Sequence, residues 1–127
     1  MLSEAAFTGF LGATDLARAR GFFETVLGLS VVSVDDFALL LRGQNGLIRV
    51  TRVERAARAP YTVLGWDVAD LQSAVLRLTE RGLAFNRYPG MAQDELGIWT
   101  APSGSRIAWF EDPDGNVLSL AQHPPAA

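Results

Sequence analysis

Apolar positions divide the chain into two runs of the same elements. Phe7 to Ala13 is apolar with small residues and reads as a strand. Asp15 follows as an N-cap. Leu16, Ala19, Phe23, Val26 and Leu27 then fall on one face of a helix, with Arg18, Arg20 and Glu24 on the other, and Gly28 supplies the residue past its end. Leu29 to Val34, Phe37 to Arg42 and Leu47 to Val53 read as strands, the last two joined by a Gln44-Asn45-Gly46 turn. Glu54 to Pro60 has three alanines, two arginines and a proline, shows no periodicity, and reads as a linker.

From Tyr61 the order restarts. Tyr61 to Val68 reads as a strand, Asp70 caps a second helix with Leu71, Ala74, Val75 and Leu78 on one face, and Gly82 ends it. Asp15 and Asp70 lie 55 residues apart, as do Ala19 and Ala74, while Gly28 and Gly82 lie 54 apart. A βαβββ order therefore occurs twice, in modules of about 5–54 and 61–123 with 55–60 between them. The second module carries an insertion, Tyr88 to Ser105, in which Gly97 to Ala101 reads as a short strand and Trp99 either as a cover on one end of the core or as a lid over a pocket.

Arg106 to Gln122 closes the chain. Ile107, Trp109 and Glu111 alternate with Arg106, Ala108 and Phe110. Asp112-Pro113-Asp114-Gly115-Asn116 stops that strand, because proline presets φ, aspartate caps local N–H groups and glycine accepts positive φ. Val117 to Ala121 resumes an extended run. This hairpin, with its aromatic strand before DPDG and NVLSL after it, resembles the closing hairpin of the vicinal oxygen chelate superfamily. That family includes glyoxalase I, bleomycin-resistance proteins, fosfomycin-resistance enzymes and extradiol dioxygenases. The resemblance implies an α+β fold: two βαβββ modules forming a cupped mixed sheet around a pocket, with helices on the outer face. It agrees with the internal repeat and so covers nearly the whole chain.

Composition narrows the function classes. With 127 residues the chain is the size of one domain. No apolar run approaches the ~20 residues that span a bilayer, and the start lacks a basic segment followed by an apolar one, so neither a membrane partner nor a secretory leader is expected. Zero cysteines exclude disulfides, thiolate ligands and a cysteine nucleophile, and fit a cytoplasmic protein. The net charge is −3, and no basic cluster exists to neutralise a phosphate backbone, so no nucleic-acid partner is expected. There is no GxGxxG after a strand, no phosphate-loop lysine and no GxSxG elbow.

Metal enzymes of the resembled superfamily hold a divalent cation with four sheet side chains, usually His or Glu. Carried onto this chain, the resemblance puts those positions at Thr8, Arg49, Val63 and Ser119. Two hydroxyls, an aliphatic group and a guanidinium make no metal site, and a shift of one residue, to Phe7, Ile48, Leu64 and Leu118, is no better. The single histidine, His123, follows the last strand and is expected to be a solvent-exposed terminal residue without a partner. We therefore expect no metal and no cofactor.

Strand parity puts Thr8, Phe10, Gly12, Leu47, Arg49, Thr51, Val63, Gly65, Asp67, Ile107, Trp109, Glu111, Val117, Ser119 and Ala121 on the pocket face. Leu11, Val50, Trp66 and Val68 point toward the helices. Phe10, Arg49, Asp67, Trp109, Glu111, Ser119 and Trp99 are the expected ligand contacts. Two functions follow. The first is a metal-free protein that binds a small molecule, like the bleomycin-resistance proteins. The second is what the resemblance also allows, an enzyme of lyase, isomerase or dioxygenase type, working through an unrecognised metal site or with Glu111 or Asp67 as general base and Arg49 beside a developing anion. Relatives of this kind pair modules between chains, and a homodimer is expected.

Overall fold

The computed structural model describes residues 1–125. It separates into two compact units: Met1–Arg58 with Asp112–Gly115, and Ala59–Glu111 with the stretch from Asn116 onward. The fold is α+β, with a βαβββ order in each module.

The first unit contains β1 (Phe7–Ala13), α1 (Leu16–Arg20), β2 (Ser30–Val34), β3 (Ala38–Arg42) and β4 (Gly46–Arg52), preceded by one 3₁₀ turn at Leu2–Glu4. Its sheet has the order β1-β4-β3-β2. β1 runs parallel to β4, with Phe10 opposite Arg49, and β3 runs antiparallel to β4, with Leu40 opposite Arg49. Leu11, Leu39, Leu41, Ile48 and Val50 are buried, whereas Phe10, Leu40 and Arg49 on the other face are not. The alternation is the expected one, and the buried face packs with the helix, where Ala19 and Phe23 are also buried.

The helix departs from expectation. A single α-helix from Leu16 to Leu27 fits the spacing, yet α1 stops at Arg20 and Gly21–Val26 forms a π-helical turn. The Leu27 N–H donates to the Phe22 carbonyl at 3.0 Å, five residues back. The wider turn holds Phe23 fully buried while Leu16, Val26 and Leu27 stay half-buried or exposed. The ends behave as the sequence indicates. Asp15 accepts the Arg18 N–H at 3.0 Å, and Gly28 takes φ 77°, a left-handed conformation natural to glycine.

The second unit contains β5 (Leu64–Asp67), α2 (Leu71–Glu80), β6 (Trp99–Thr100), β7 (Arg106–Glu111) and β8 (Val117–Gln122). Its sheet order, β5-β8-β7-β6, repeats that of the first. Gly65 stands opposite Ser119 and Trp109 opposite Ser119 from the other side. Ala108, Phe110, Leu118 and Leu120 are buried under α2 with Leu71 and Val75. The Phe110 ring stacks on Trp66 at 6.5 Å and meets Phe85 edge-on at 5.7 Å. β5 is shorter than the strand expected over 61–68. Among Tyr61, Thr62 and Val63, only Val63 joins the ladder, its N–H donating to the Val117 carbonyl at 3.0 Å.

The turn after β7 is counted with the first unit. There Asp114 accepts from the Thr14 N–H at 3.2 Å and the Thr14 hydroxyl at 2.7 Å, with Arg18 Nη2 at 3.4 Å. The Asp114 side chain is almost fully buried, so its charge needs these partners.

The 84–98 segment is stitched by its own side chains. Gln93 Nε2 donates to the carbonyls of Asn86 and Gly97, both at 2.9 Å, and its Oε1 accepts the Tyr88 N–H at 2.8 Å. Arg87 donates to the carbonyls of Asp94 and Glu95. Asp94 accepts the N–H groups of Leu96 and Ile98 at 2.9 Å. A loop satisfied from within holds Tyr88 and Met91 in place without regular structure.

Candidate ligand-binding site

A cleft of about 330 Å³ opens in the second unit, lined by Pro60, Tyr61, Thr62, Tyr88, Met91, Trp109 and Val117. Each wall has a local cause. Trp109 and Val117 stand on β7 and β8, on the face away from α2. Pro60 to Thr62 line it because the chain has not yet entered the β5 ladder. Tyr88 and Met91 come from the loop that Gln93 holds. The Tyr88 ring meets Trp109 edge-on at 5.6 Å, and Trp99 lies tilted against the same indole at 6.1 Å. Trp109 is thus steadied by two aromatic neighbours and still lines open space, which suits it to stack on a flat ligand.

The residues expected at the site are distributed as follows. Trp109 lines the cleft. Trp99 supports it from β6 and lies outside its walls. Ser119 faces Gly65 so closely that a Cβ built on Gly65 would sit 2.5 Å from Ser119 Oγ, and that close approach requires glycine. Glu111 is exposed at the end of β7, outside the cleft walls. Asp67 is exposed at the end of β5 and bonded to His123. Phe10 and Arg49 stand side by side on the first unit's sheet. The four positions at which a metal ligand set was expected fall as Thr8 and Arg49 in the first unit and Val63 and Ser119 in the second. Their chemistry does not suit a divalent cation: a guanidinium stays protonated, an isopropyl group donates nothing, and neutral hydroxyls bind such ions poorly. Among the described residues, no three His, Cys, Asp or Glu side chains gather in metal-binding range.

His123 is a correction to the sequence reading. It has two partners: Ser105 Oγ at 2.8 Å from Nδ1, and Asp67 Oδ1 at 3.1 Å from Nε2. The reason is ladder geometry. Arg106 pairs with Gln122, so Ser105 and His123 form the next cross-strand pair, and Asp67, opposite Ala121 on the same face, reaches His123 along the diagonal. Reflecting β8 onto β7 about the DPDG turn is the signal that finds this group. It has a serine–histidine–acid order but not the setting of a nucleophilic serine. The Gly104 N–H is spent on the Ala101 carbonyl and the Ser105 N–H on Ser103 Oγ, so neither serves a developing oxyanion. The His123 and Asp67 side chains are 54% and 78% exposed, where water weakens the pair. Tyr61, Tyr88 and Met91 also line the cleft, and nothing in their own stretches of sequence shows which way an irregular backbone turns them.

Two carboxylates are held below the usual range. Backbone N–H bonds from Phe37 and then Ala38 lower Asp35, with Arg49 contributing through space. The N–H and then the hydroxyl of Ser73 lower Asp70.

Residues 6–120 match the family model described as the Glyoxalase/Bleomycin resistance protein/Dioxygenase superfamily, and the chain belongs to that superfamily. No curated protein matches the chain. Among solved structures, a lactoylglutathione lyase from Agrobacterium tumefaciens superposes with a TM-score of 0.72 at 16% identity, covering 94% of this chain and 93% of that one. A glyoxalase/bleomycin resistance protein/dioxygenase from Alicyclobacillus acidocaldarius gives 0.70 at 17%, covering 96% and 93%. TnmS3, an antibiotic-binding protein from Streptomyces sp. CB03234, gives 0.68 at 20%, covering 98% and 99%. These likenesses are likenesses of fold.

Proposed function

We propose that this protein binds a small organic molecule without a metal or other cofactor, seating a flat, apolar part of the ligand against Trp109. The observation that carries the reading is the cleft of Tyr61, Tyr88, Met91 and Trp109, whose walls offer burial and stacking. The poor donor set at Thr8, Arg49, Val63 and Ser119 supports the metal-free part. The fold serves both roles among its structural neighbours, a lyase and an antibiotic-binding protein. An enzyme reading built on Glu111 or Asp67 gains little, since both carboxylates are exposed and a general base works best where its surroundings raise its basicity.

The protein acts in the cytoplasm as a homodimer in this reading. Among the described residues no helix is long and apolar enough to cross a membrane, and Phe7, exposed at the start of the edge strand β1, is apolar surface that a second chain would cover. The test is native mass spectrometry of untagged protein, with elemental analysis and melting curves with and without EDTA. The expected outcome is an organic adduct on a twofold assembly, no stoichiometric metal and no effect of EDTA. About one metal per chain, or a clear EDTA-induced drop in melting temperature, overturns the metal-free reading.

A further inference from the structure

The first unit's sheet carries a second feature, built from residues that are not among the cleft's walls. Arg49 sits in the middle of β4, half-buried, with Phe10 beside it on β1 and Leu40 beside it on β3. No hydrogen bond or ion pair within 4 Å joins its guanidinium to another described residue. Five N–H donors in a fixed planar fork are thus presented from an apolar surround, where leaving them unpaired is unfavourable. Asp35 is an acid that feels its charge through space. That carboxylate already receives the N–H groups of Phe37 at 2.8 Å and Ala38 at 2.9 Å through Oδ1. Arg42, opposite Leu47, lies on the diagonal from Arg49 on the same face and adds positive charge. Thr8 and Thr51, two positions along β1 and β4, add hydroxyls, and this stretch of β1, β3 and β4 offers no carboxylate.

We propose that this face is an anion site, taking a carboxylate attached to an aromatic ring. The carboxylate matches the Arg49 fork as a bidentate partner. The ring lies against Phe10, which is 68% exposed although it stands beside a half-buried residue in mid-strand. The inference stands apart from the cleft reading, since it concerns a different unit and different residues.

The test uses 2-naphthoate against its uncharged isostere 2-naphthamide, followed by NMR of the backbone amides and the Arg49 Nε–Hε signal. Naphthoate is expected to shift Arg49 and residues 8–10 and 47–51, binding about tenfold more tightly than the amide, a preference that salt weakens. R49Q removes that preference, and R49K keeps only part of it. R42Q reduces it less, since Arg42 acts from the diagonal. Folding of each variant is checked from the unperturbed signals of the second unit. Equal binding of acid and amide, an undiminished preference in R49Q, or shifts confined to Tyr61, Tyr88 and Trp109 would each overturn the proposal. The last of these would leave the cleft reading intact, so the two fail separately.

Discussion

Where β1 meets β4, Phe10 stands beside Arg49; at the matching place in the second sheet, where β5 meets β8, Gly65 stands beside Ser119. The contrast extends across both faces. The first presents Arg42 and Arg49 with one exposed phenylalanine. The second presents Trp109 and Trp99, with Asp67 and Glu111 at its strand ends. Topology and buried alternation repeat almost unchanged, because both are set by the apolar positions facing the helix. The opposite face has no such constraint, so its chemistry has been free to diverge. The repeat explains the scaffold, and the differences between its halves are where binding specificity belongs.

Several substitutions would break or sharpen that contrast. The largest effect belongs to the side of the architecture that repeats between the two halves. Phe110→Ala removes a fully buried ring that touches Trp66 and Phe85, and should cost ~3–5 kcal/mol in denaturant unfolding. Phe23→Ala in the first unit should cost about the same by the same principle, and a loss under 1 kcal/mol for either would mean that its π turn or sheet repacks freely. Next is Gly65→Ala, which forces a methyl group onto Ser119 Oγ. It should destabilise by ~1–3 kcal/mol, and pairing it with Ser119→Gly should restore most of the loss in a double-mutant cycle. Trp109→Ala should leave folding nearly intact while weakening ligand binding by ~1–3 kcal/mol through lost stacking and burial, read by calorimetry with whatever molecule co-purifies. Unchanged affinity would move the ligand out of the cleft.

The smallest effect is acid-linked. Asp35 and Asp70 have folded pKa values below 3.8, so the stability they contribute is present above that value and is lost as pH falls through the lowered folded ones. Asp35→Asn and Asp70→Asn should each flatten the melting temperature's decline below about pH 4. Both groups are fully exposed, so the change is small, and a wild-type profile in both variants would show that neither cap is linked to folding.

Much of the scaffold was legible because its signals are local. Asp15 and Asp70 cap their helices, DPDG makes its turn, and apolar alternation assigns each strand a face. What was missed depends on partners distant in sequence. His123 looks like a loose terminal residue until β8 is folded back on β7, which carries it to Ser105, and β5 brings Asp67. Tyr61 and Tyr88 become cleft walls through an irregular lead-in and a loop organised by Gln93, neither of which has a period to read.

The π turn at Gly21–Val26 also explains a discrepancy in the repeat. Equivalent positions stay 55 apart through Ala19 and Ala74, then 54 apart at Gly28 and Gly82. The first helix therefore holds one residue more than the second, and it is absorbed between those points, where the hydrogen bond lengthens to span five residues. In genetic terms this is a single-codon indel taken up inside a helix instead of in a loop. The surplus is local, so excising Phe22 alone should convert the turn to regular α-helix and give the two modules the same spacing from capping aspartate to terminal glycine.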